Sequence, residues 1–162
     1  MNPRRILCPT DFSHFTDAAL SYASSLAAES GATLFIAHVY EYLEANAALG
    51  EAAFAYAAPW GVADRSEVRR QLEQVKPTLS HVAFERRYLE GDPVREIVAF
   101  AKREQVDLIV MGSHGRTGLS RLLMGSVAEG VARRAACPVL IVKQPSPIVG
   151  ENLADDAMVL SE

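Results

Sequence analysis

The sequence has few of the features that mark secreted and membrane proteins. Its 162 residues include two cysteines, Cys8 and Cys137, each in an apolar, strand-like run. This context favours buried reduced thiols over a disulfide. No apolar run approaches the length of a membrane span, and the three apolar residues between Arg5 and Pro9 are too few for a secretory signal. We therefore expect a cytoplasmic protein with no membrane partner.

Motifs for catalysis and metal binding are missing as well. The four histidines show no metal-ligand spacing. The sequence has no G-x-S-x-G nucleophile elbow and no cysteine–histidine pairing that can be placed. Neither common phosphate fingerprint, G-x-x-x-x-G-K-S/T or G-x-G-x-x-G, is present. We expect no catalytic residue and no metal ligand in this chain.

The net charge of −4 does not suit a general nucleic-acid binder, and its distribution is uneven. Residues 41–62 carry three glutamates, residues 144–162 carry four acidic residues, and neither segment has a lysine or arginine. Without these segments, whose charges are −3 and −4, the remaining body carries +3. A mildly basic body suits an anionic small molecule, and we expect no nucleic-acid partner.

The two acidic segments also fall outside the pattern of the rest of the chain. Residues 41–62 form an alanine-rich insertion with several aromatic residues. We consider a short helix or a lid there, with the aromatic rings either covering a bound ring or packing on the body. Residues 144–162 form an acidic tail that we expect to be mobile or held by a partner subunit. The domain itself is expected to span residues 1–143.

Five strand-like runs alternate with four helical patterns, which is typical of a parallel sheet with right-handed crossovers. The runs cover residues 4–8, 33–40, 82–89, 107–112 and 139–143. The first, fourth and fifth are almost continuously apolar, as strands covered on both faces are. The third mixes charged and apolar residues and is expected near an edge. We expect a single doubly wound α/β domain, with a five-stranded parallel sheet of order 3-2-1-4-5 flanked by four helices.

The helical patterns carry start and stop signals. The first begins near Ser13 and ends at Gly31, which suits a left-handed C-cap. The second is expected to be kinked or shortened by Pro77. The third has Asp92 as N-cap with a proline after it, and the fourth runs from Ser126 to about residue 136. The second helix has an apolar face formed by Val68, Leu72, Val75 and Leu79.

The most distinctive stretch runs from Val110 to Val127. A short apolar strand breaks into glycines at Gly112, and a helix begins near Ser126. Glycine lets the backbone approach a ligand closely, and the first N–H groups of a helix lack partners, so such a turn suits a phosphate. The alternative is that these are only turn glycines and that Ser126 with Glu129 forms a capping box.

Asp11 follows the first strand directly, at its carboxyl end. In a sheet of order 3-2-1-4-5, strands one and four are neighbours where the winding reverses, and ligands of open α/β sheets bind in the crevice there. Asp11 would then face the glycine turn, and its carboxylate is suited to accept hydrogen bonds from ribose hydroxyls. The alternative is that Asp11, or Ser13, only caps the first helix.

Several of these stretches together resemble the universal stress protein family, in its ATP-binding branch. They are Pro9–Ser13, Asp107–Arg116, Gly125–Ser126 and Cys137–Val142. The resemblance covers roughly residues 3–143, and it implies ATP, with or without Mg²⁺, as the ligand. Asp11 would hold the ribose beside Gly112, and the backbone of Val39 would meet adenine. Four residues would bind the phosphates, namely Gly115, Gly125, Ser126 and Val127. The whole expected ATP site consists of Pro9, Thr10, Asp11, Val39, Met111, Gly112, Gly115, Arg116, Gly125, Ser126 and Val127.

Three polar residues in or near these motifs also have simpler interpretations. His38, within an apolar strand, is expected to be a satisfied core residue. His114 lies in the glycine turn and either touches the ligand or is exposed. Arg116 is a candidate phosphate contact, although a solvated loop cation needs no further explanation.

The expected function is that of a stress-response regulatory protein that binds ATP and acts as a homodimer. An unpaired apolar edge is an aggregation hazard, so pairing of the 139–143 edge with a second copy is a natural remedy, and the family resemblance points to the same edge. Two alternatives stay open, namely a slow ATPase and an interaction or chaperone-like module that needs no nucleotide.

Overall fold

The computed structural model describes residues 2–41, 64–113 and 124–143. Strands and helices alternate along these described ranges. The strands are β1 (Arg5–Pro9), β2 (Thr33–Tyr40), β3 (Phe84–Glu90), β4 (Leu108–Gly112) and β5 (Val139–Val142). The helices are α1 (His14–Ser30), α2 (Arg65–Gln74), α3 (Pro93–Arg103) and α4 (Ser126–Arg134). The acidic tail and the insertion after Glu41 lie outside the described residues.

The five strands form one parallel sheet in the order β3-β2-β1-β4-β5. The predicted doubly wound α/β architecture, with its strand order and its four flanking helices, is therefore confirmed. The reversal of winding falls between β1 and β4, the two strands that precede α1 and α4. Both strands therefore end at the same edge of the sheet, close to the starts of these two helices.

Each face of the sheet has its own apolar core, because successive residues of a strand point to opposite faces. Ile6 and Cys8 of β1 join the core under α1 and α2, with Ala19, Ala23, Ala27 and Leu72. Leu7 joins the opposite core under α3 and α4, with Ile97, Phe100, Ala128 and Val131. β1 is thus covered on both faces, as its apolar run predicts.

The two edge strands differ from the central ones in burial. β3 is half-exposed along most of its length, which confirms the edge position predicted from its mixed sequence. β5 is also an edge strand, and Leu140 in it is 38% exposed. The expectation that the fifth run is covered on both faces is therefore wrong. Apolar composition alone does not reveal whether other elements reach over a terminal strand.

Most helix signals are used as predicted. The N-cap of α3 is Asp92, whose carboxylate accepts from Arg95 N at 2.8 Å, and Gly31 ends α1 with φ +68°. α2 ends at Gln74, before Pro77, so its predicted apolar face is too long. The shortening predicted from Pro77 is therefore confirmed. Val75 follows the helix as its C-cap and still packs against the core under α1 and α2, whereas Leu79 lies beyond the helix and is exposed. No described helix combines the length and apolar character needed to cross a bilayer.

Helices α3 and α4 approach each other closely at Gly130. A Cβ placed there would lie 2.7 Å from Cγ2 of Val94, well inside ordinary van der Waals distance. Glycine therefore allows the two helices to pack side by side on the same face of the sheet. This contact and the buried residues Ala128 and Val131 fix α4 on the sheet.

Candidate functional site

The sheet opens between β1 and β4 at their carboxyl ends. Among the described residues, β1 pairs with β2 up to Pro9–Ala37, but with β4 only through Ile6–Leu108 and Leu7–Ile109. β4 stays paired with β5 up to Gly112–Val142. The last residues of β1 and β4 are therefore not paired with each other. This opening coincides with the reversal of winding, where ligands of open α/β sheets bind.

Main-chain hydrogen bonds anchor the residue that follows β4. Ser113, 6% exposed, donates its N–H to Val142 O at 3.0 Å, and its carbonyl accepts from Gly125 N at 2.8 Å. Met111 and Gly112 before it are buried. The start of α4 is thereby tied to the end of β4. The predicted contacts Gly115 and Arg116, and the neighbouring His114, lie outside the described residues.

Helix α4 begins without a side-chain cap. Gly125 is its N-cap, and no side chain of the described residues accepts a hydrogen bond from its first turn. The first helical bond runs from Glu129 N to Gly125 O at 3.0 Å. The amides of Ser126, Val127 and Ala128 precede that bond, and they form the positive end of the helix dipole.

The capping box considered for this helix is wrong. Ser126 is the first helical residue rather than the N-cap, and Glu129 forms an ion pair with Arg133 at 2.8 Å. Because Gly125 occupies the cap position, no side chain at that position competes with a ligand for the first amides of the helix.

Asp11 holds its carboxylate in a turn before α1. Its Oδ1 accepts from the Ser13 N–H at 3.0 Å and from the Ser13 hydroxyl at 2.6 Å. Ser13 is the N-cap of α1, although its side chain makes no cap hydrogen bond among the described residues. The alternative that Asp11 caps the helix is therefore wrong. Its carboxylate orders the turn itself.

A continuous chain of hydrogen bonds links the residues on either side of Asp11 to the start of α1. Thr16 Oγ1 donates to Ser13 O at 2.8 Å and lies 3.1 Å from Thr10 Oγ1. Each hydroxyl has one hydrogen, so Thr10 is the donor in that pair. Thr10 Oγ1 in turn accepts from the Phe12 N–H at 3.1 Å. The chain ties the turn to the start of α1 on both sides of Asp11.

Phe12 and His38 join this turn to β2. Phe12 has φ +63°, and its ring stacks on the imidazole of His38 with the centroids 4.2 Å apart. His38 is 7% exposed, and its Nδ1 lies 2.7 Å from Thr10 O. A carbonyl oxygen only accepts, so Nδ1 carries the hydrogen. The prediction that His38 is a satisfied core residue is confirmed.

Phe12 and Ser113 lie in this region but are not among the site residues predicted from the sequence. Residue type does not predict a left-handed Phe12, because bulky residues rarely adopt that conformation. Ser113 had a usable signal. A small polar residue directly after a buried strand, at the start of a glycine-rich turn, is well placed to bond the main chain on either side.

The other predicted residues lie at the same end of the sheet. Pro9 pairs with Ala37 at the end of β1, and Thr10 donates its N–H to Ala37 O at 2.8 Å. Val39, next to last in β2, pairs with Leu89 and packs against the core under α3 and α4. The fold thus places one set of predicted residues at the carboxyl edge of the sheet, namely Pro9, Thr10, Asp11, Val39, Met111, Gly112, Gly125, Ser126 and Val127.

Two open clefts flank the turn on the side of α1 and α2. One has a volume of about 430 Å³, and its lining includes Thr16 and Arg70. The other, of about 440 Å³, borders Asp11, Phe12 and His38. Both lie beside the turn rather than between β1 and β4. The opening between the ends of β1 and β4 lies at the same end of the sheet as the turn and the start of α4.

The thiols have the properties of structural cysteines. Burial raises the pKa of the Cys8 thiol to about 12 and also raises the pKa of Cys137. Both cysteines are free. Because their pKa values are raised, the thiols stay neutral and weakly nucleophilic near pH 7. In the part of the chain that the structure describes, no group of three or more His, Cys, Asp or Glu side chains is placed to hold a metal ion.

Comparison with known proteins connects this fold and site to one family. The model of the universal stress protein family matches residues 2–143. Universal stress protein MJ0531 of Methanocaldococcus jannaschii is 36% identical over 147 residues, which cover 88% of this chain and 83% of that protein. Universal stress protein YxiE of Bacillus subtilis is 35% identical over 147 residues, covering 86% of this chain and 98% of that protein.

Solved structures agree with the sequence relatives. The structure of MJ0577 from Methanocaldococcus jannaschii superimposes with a TM-score of 0.71 at 32% identity, covering 91% of this chain and 100% of that one. A universal stress protein solved in complex with cAMP has a TM-score of 0.57 at 30% identity, covering 88% of this chain and 98% of that one. The resemblance found in the sequence is confirmed, and the chain belongs to the universal stress protein family.

Proposed function

We propose that this protein is a stress-response regulator that binds ATP in the crevice between β1 and β4. The observation that carries the proposal is the uncapped start of α4 at the same edge of the sheet as the Asp11 turn. Amides at a helix start suit the phosphates of a nucleotide, and a carboxylate that accepts hydrogen bonds suits its sugar.

In this proposal, the phosphates lie at the start of α4. The amides of Ser126 and Val127 donate to them, and Gly125 lets them approach the backbone because it has no side chain. One favourable charge at a helix start contributes about 0.3–1 kcal/mol, so several donors must act together. Gly115 and Arg116 complete the proposed set. Mg²⁺ is commonly held by substrate phosphates and waters, so bound ATP–Mg²⁺ needs few carboxylates from the protein.

The sugar and the base occupy the opposite part of the crevice in this proposal. Asp11 accepts hydrogen bonds from the ribose hydroxyls, and Gly112 leaves room beside the sugar. The backbone of Val39 meets adenine, while Pro9, Thr10 and Met111 form the surrounding wall. The relative solved with cAMP is 30% identical, and it supports an adenine nucleotide as the ligand class.

Isothermal titration calorimetry with ATP, with and without Mg²⁺, tests this function. The wild-type protein is expected to bind, and Asp11→Asn is expected to lose about tenfold in affinity because a charged acceptor of hydroxyl hydrogen bonds is lost. Asp17→Asn is the matched control, since Asp17 is an exposed acid on α1. Absence of heat from wild-type protein, or equal affinities of the two variants, would contradict the proposal.

We also propose that the protein works in the cytoplasm as a homodimer of 1–143 domains joined through β5. The half-exposed β5 edge, with Leu140 38% exposed, supports this arrangement because an apolar edge is stabilised by pairing. Sedimentation velocity at micromolar concentration is expected to give a dimer, and Leu140→Arg is expected to shift it towards monomer. A strictly monomeric wild-type protein would contradict this assembly.

A further inference from the structure

We propose that His38 and Phe12 are positioning residues for the nucleotide site, because together they hold the turn that carries Asp11. The identity of the ligand in this inference rests on the proposed function. The contacts that carry the inference are properties of the protein alone.

His38 contacts both sequence neighbours of Asp11. Its Nδ1–H donates to Thr10 O at 2.7 Å, and its ring stacks on Phe12 with an interplanar angle of 23°. One side chain of β2 therefore fixes the residue before the carboxylate by a hydrogen bond and the residue after it by ring contact. These two contacts therefore restrain the turn on both sides of Asp11.

Phe12 has a backbone conformation that its residue type disfavours. Its φ of +63° is shared, among non-glycine residues in the described ranges, only by Gln105 at 52°. A bulky residue stays in the left-handed region when its surroundings determine it fully. Here the surroundings are the His38 ring and the Thr10 hydroxyl, which accepts the Phe12 N–H at 3.1 Å.

The burial of His38 points to a specific role rather than to filling space. The side chain is 7% exposed, and the residues next to His38 in β2, Ala37 and Val39, are apolar. An aliphatic residue could fill such a position without removing a polar ring from water. The imidazole supplies a directed donor that an aliphatic side chain lacks, and that donor reaches the turn.

A pair of isosteric amides tests the inference. His38→Asn keeps a donor near the position of Nδ1, whereas His38→Gln moves the donor towards that of Nε2. In calorimetry with ATP, His38→Asn is expected to stay within about threefold of wild type and His38→Gln to lose about tenfold, since one buried hydrogen bond separates them. His81→Gln is the control, because His81 is exposed.

Amide hydrogen exchange without nucleotide provides the second measurement. The N–H groups of Phe12 and Ser13 bond to Thr10 Oγ1 and Asp11 Oδ1, so they report the turn directly. Both are expected to exchange faster in His38→Gln and at the wild-type rate in His38→Asn. Imidazole ¹⁵N shifts are expected to show the Nδ1–H tautomer of His38 in the wild-type protein.

The outcomes distinguish a failure of the positioning role of His38 from a failure of the proposed ATP binding. Equal affinities with unchanged exchange in His38→Gln would overturn the positioning role. If wild-type protein binds no nucleotide, the proposed function fails, while the exchange comparison still decides the role of His38. If His38→Gln does not fold, Phe12→Leu takes its place, because it removes the ring contact and keeps an apolar side chain. Unchanged exchange at Ser13 in that variant would also overturn the inference.

Discussion

The N-cap residues of three helices in this domain have almost the same backbone conformation, but two of them are aspartates and the third is a glycine. Asp64 caps α2 and accepts from Ser66 N at 3.0 Å, and Asp92 caps α3 and accepts from Arg95 N at 2.8 Å. Gly125 occupies the same position before α4 and has no side chain. The φ values are −59°, −70° and −60°, and the ψ values are 129°, 124° and 146°. The difference between these helix starts is therefore chemical rather than conformational.

The comparison shows where the domain forgoes its own stability. An aspartate cap satisfies a first-turn amide and places a negative charge at the positive end of the helix dipole. It contributes about 0.5–2 kcal/mol relative to alanine and roughly a few tenths of a kcal/mol relative to glycine. α2 and α3 have this contribution from within the chain. α4 lacks it at the end of the sheet where a ligand is proposed, and α1, whose N-cap Ser13 makes no cap hydrogen bond among the described residues, lacks it as well. Close packing at Gly130 holds α4 in place instead. An anion bound at the start of α4 would provide the hydrogen-bond acceptor and the negative charge that an aspartate cap provides in α2 and α3.

The largest expected effect comes from giving α4 the cap that the other two helices have. Gly125→Asp is expected to stabilise the free protein and to weaken ATP binding about 100-fold, because the carboxylate occupies the amides and repels the phosphates. Thermal unfolding and calorimetry on the same samples measure both effects.

Gly125→Asn separates charge from occupancy at this position. Asparagine caps as well as aspartate but carries no charge, so its affinity is expected to lie between those of Gly125→Asp and wild type. Stronger ATP binding by Gly125→Asp than by wild type would show that the helix start does not face the phosphates.

A smaller effect is expected where the cap is structural. Asp92→Ala removes the carboxylate that accepts from Arg95 N and is expected to reduce the free energy of unfolding by about 1 kcal/mol. The affinity for ATP is expected to stay unchanged. α3 begins at Pro93 and follows β3, and β2 separates that outer strand from β1 and the proposed site. Urea unfolding and calorimetry together check this prediction, and a loss of affinity comparable to that of Asp11→Asn would contradict it.

The smallest effect is expected at α2 and depends on pH. Hydrogen bonds from the Ser66 N–H and hydroxyl lower the pKa of Asp64 below its ordinary value of 3.8. A lowered pKa in the folded state stabilises the fold above the ordinary value, and this contribution is lost as the pH falls through the lowered one. Asp64→Asn is therefore expected to be slightly less stable than wild type at pH 7, with the difference vanishing in acid. A difference that grows in acid would reverse the sign.

The sequence predicts those parts of the fold that depend on local patterns. Apolar runs separated by helices imply the parallel sheet, and Asp92 followed by Pro93 predicts the start of α3 because local bonds define a cap. The exposure of Leu140 was not predictable in this way. It depends on which elements reach the edge of the sheet, and no local signal records that.

The candidate site is likewise only partly predictable from the sequence. Asp11 and Gly112 could be placed from the strand order, because parallel strands bring their carboxyl ends to one edge. The exact helix start could not, since Gly125 and Ser126 are both acceptable caps and one residue decides whether α4 has a side-chain cap. The His38–Thr10 contact joins residues that are 28 positions apart. Sequence alone does not show that two such residues meet.

The hydrogen bond from Gly125 N to Ser113 O has a consequence for how this protein can vary. It joins the residue after β4 to the N-cap of α4, so one main-chain hydrogen bond holds together the two ends of the connection 114–124. Added length in a closed connection has a small entropic effect, of about 0.6 kcal/mol per doubling. Changes in the length of this connection are therefore expected to leave the register of β4 and the start of α4 unchanged.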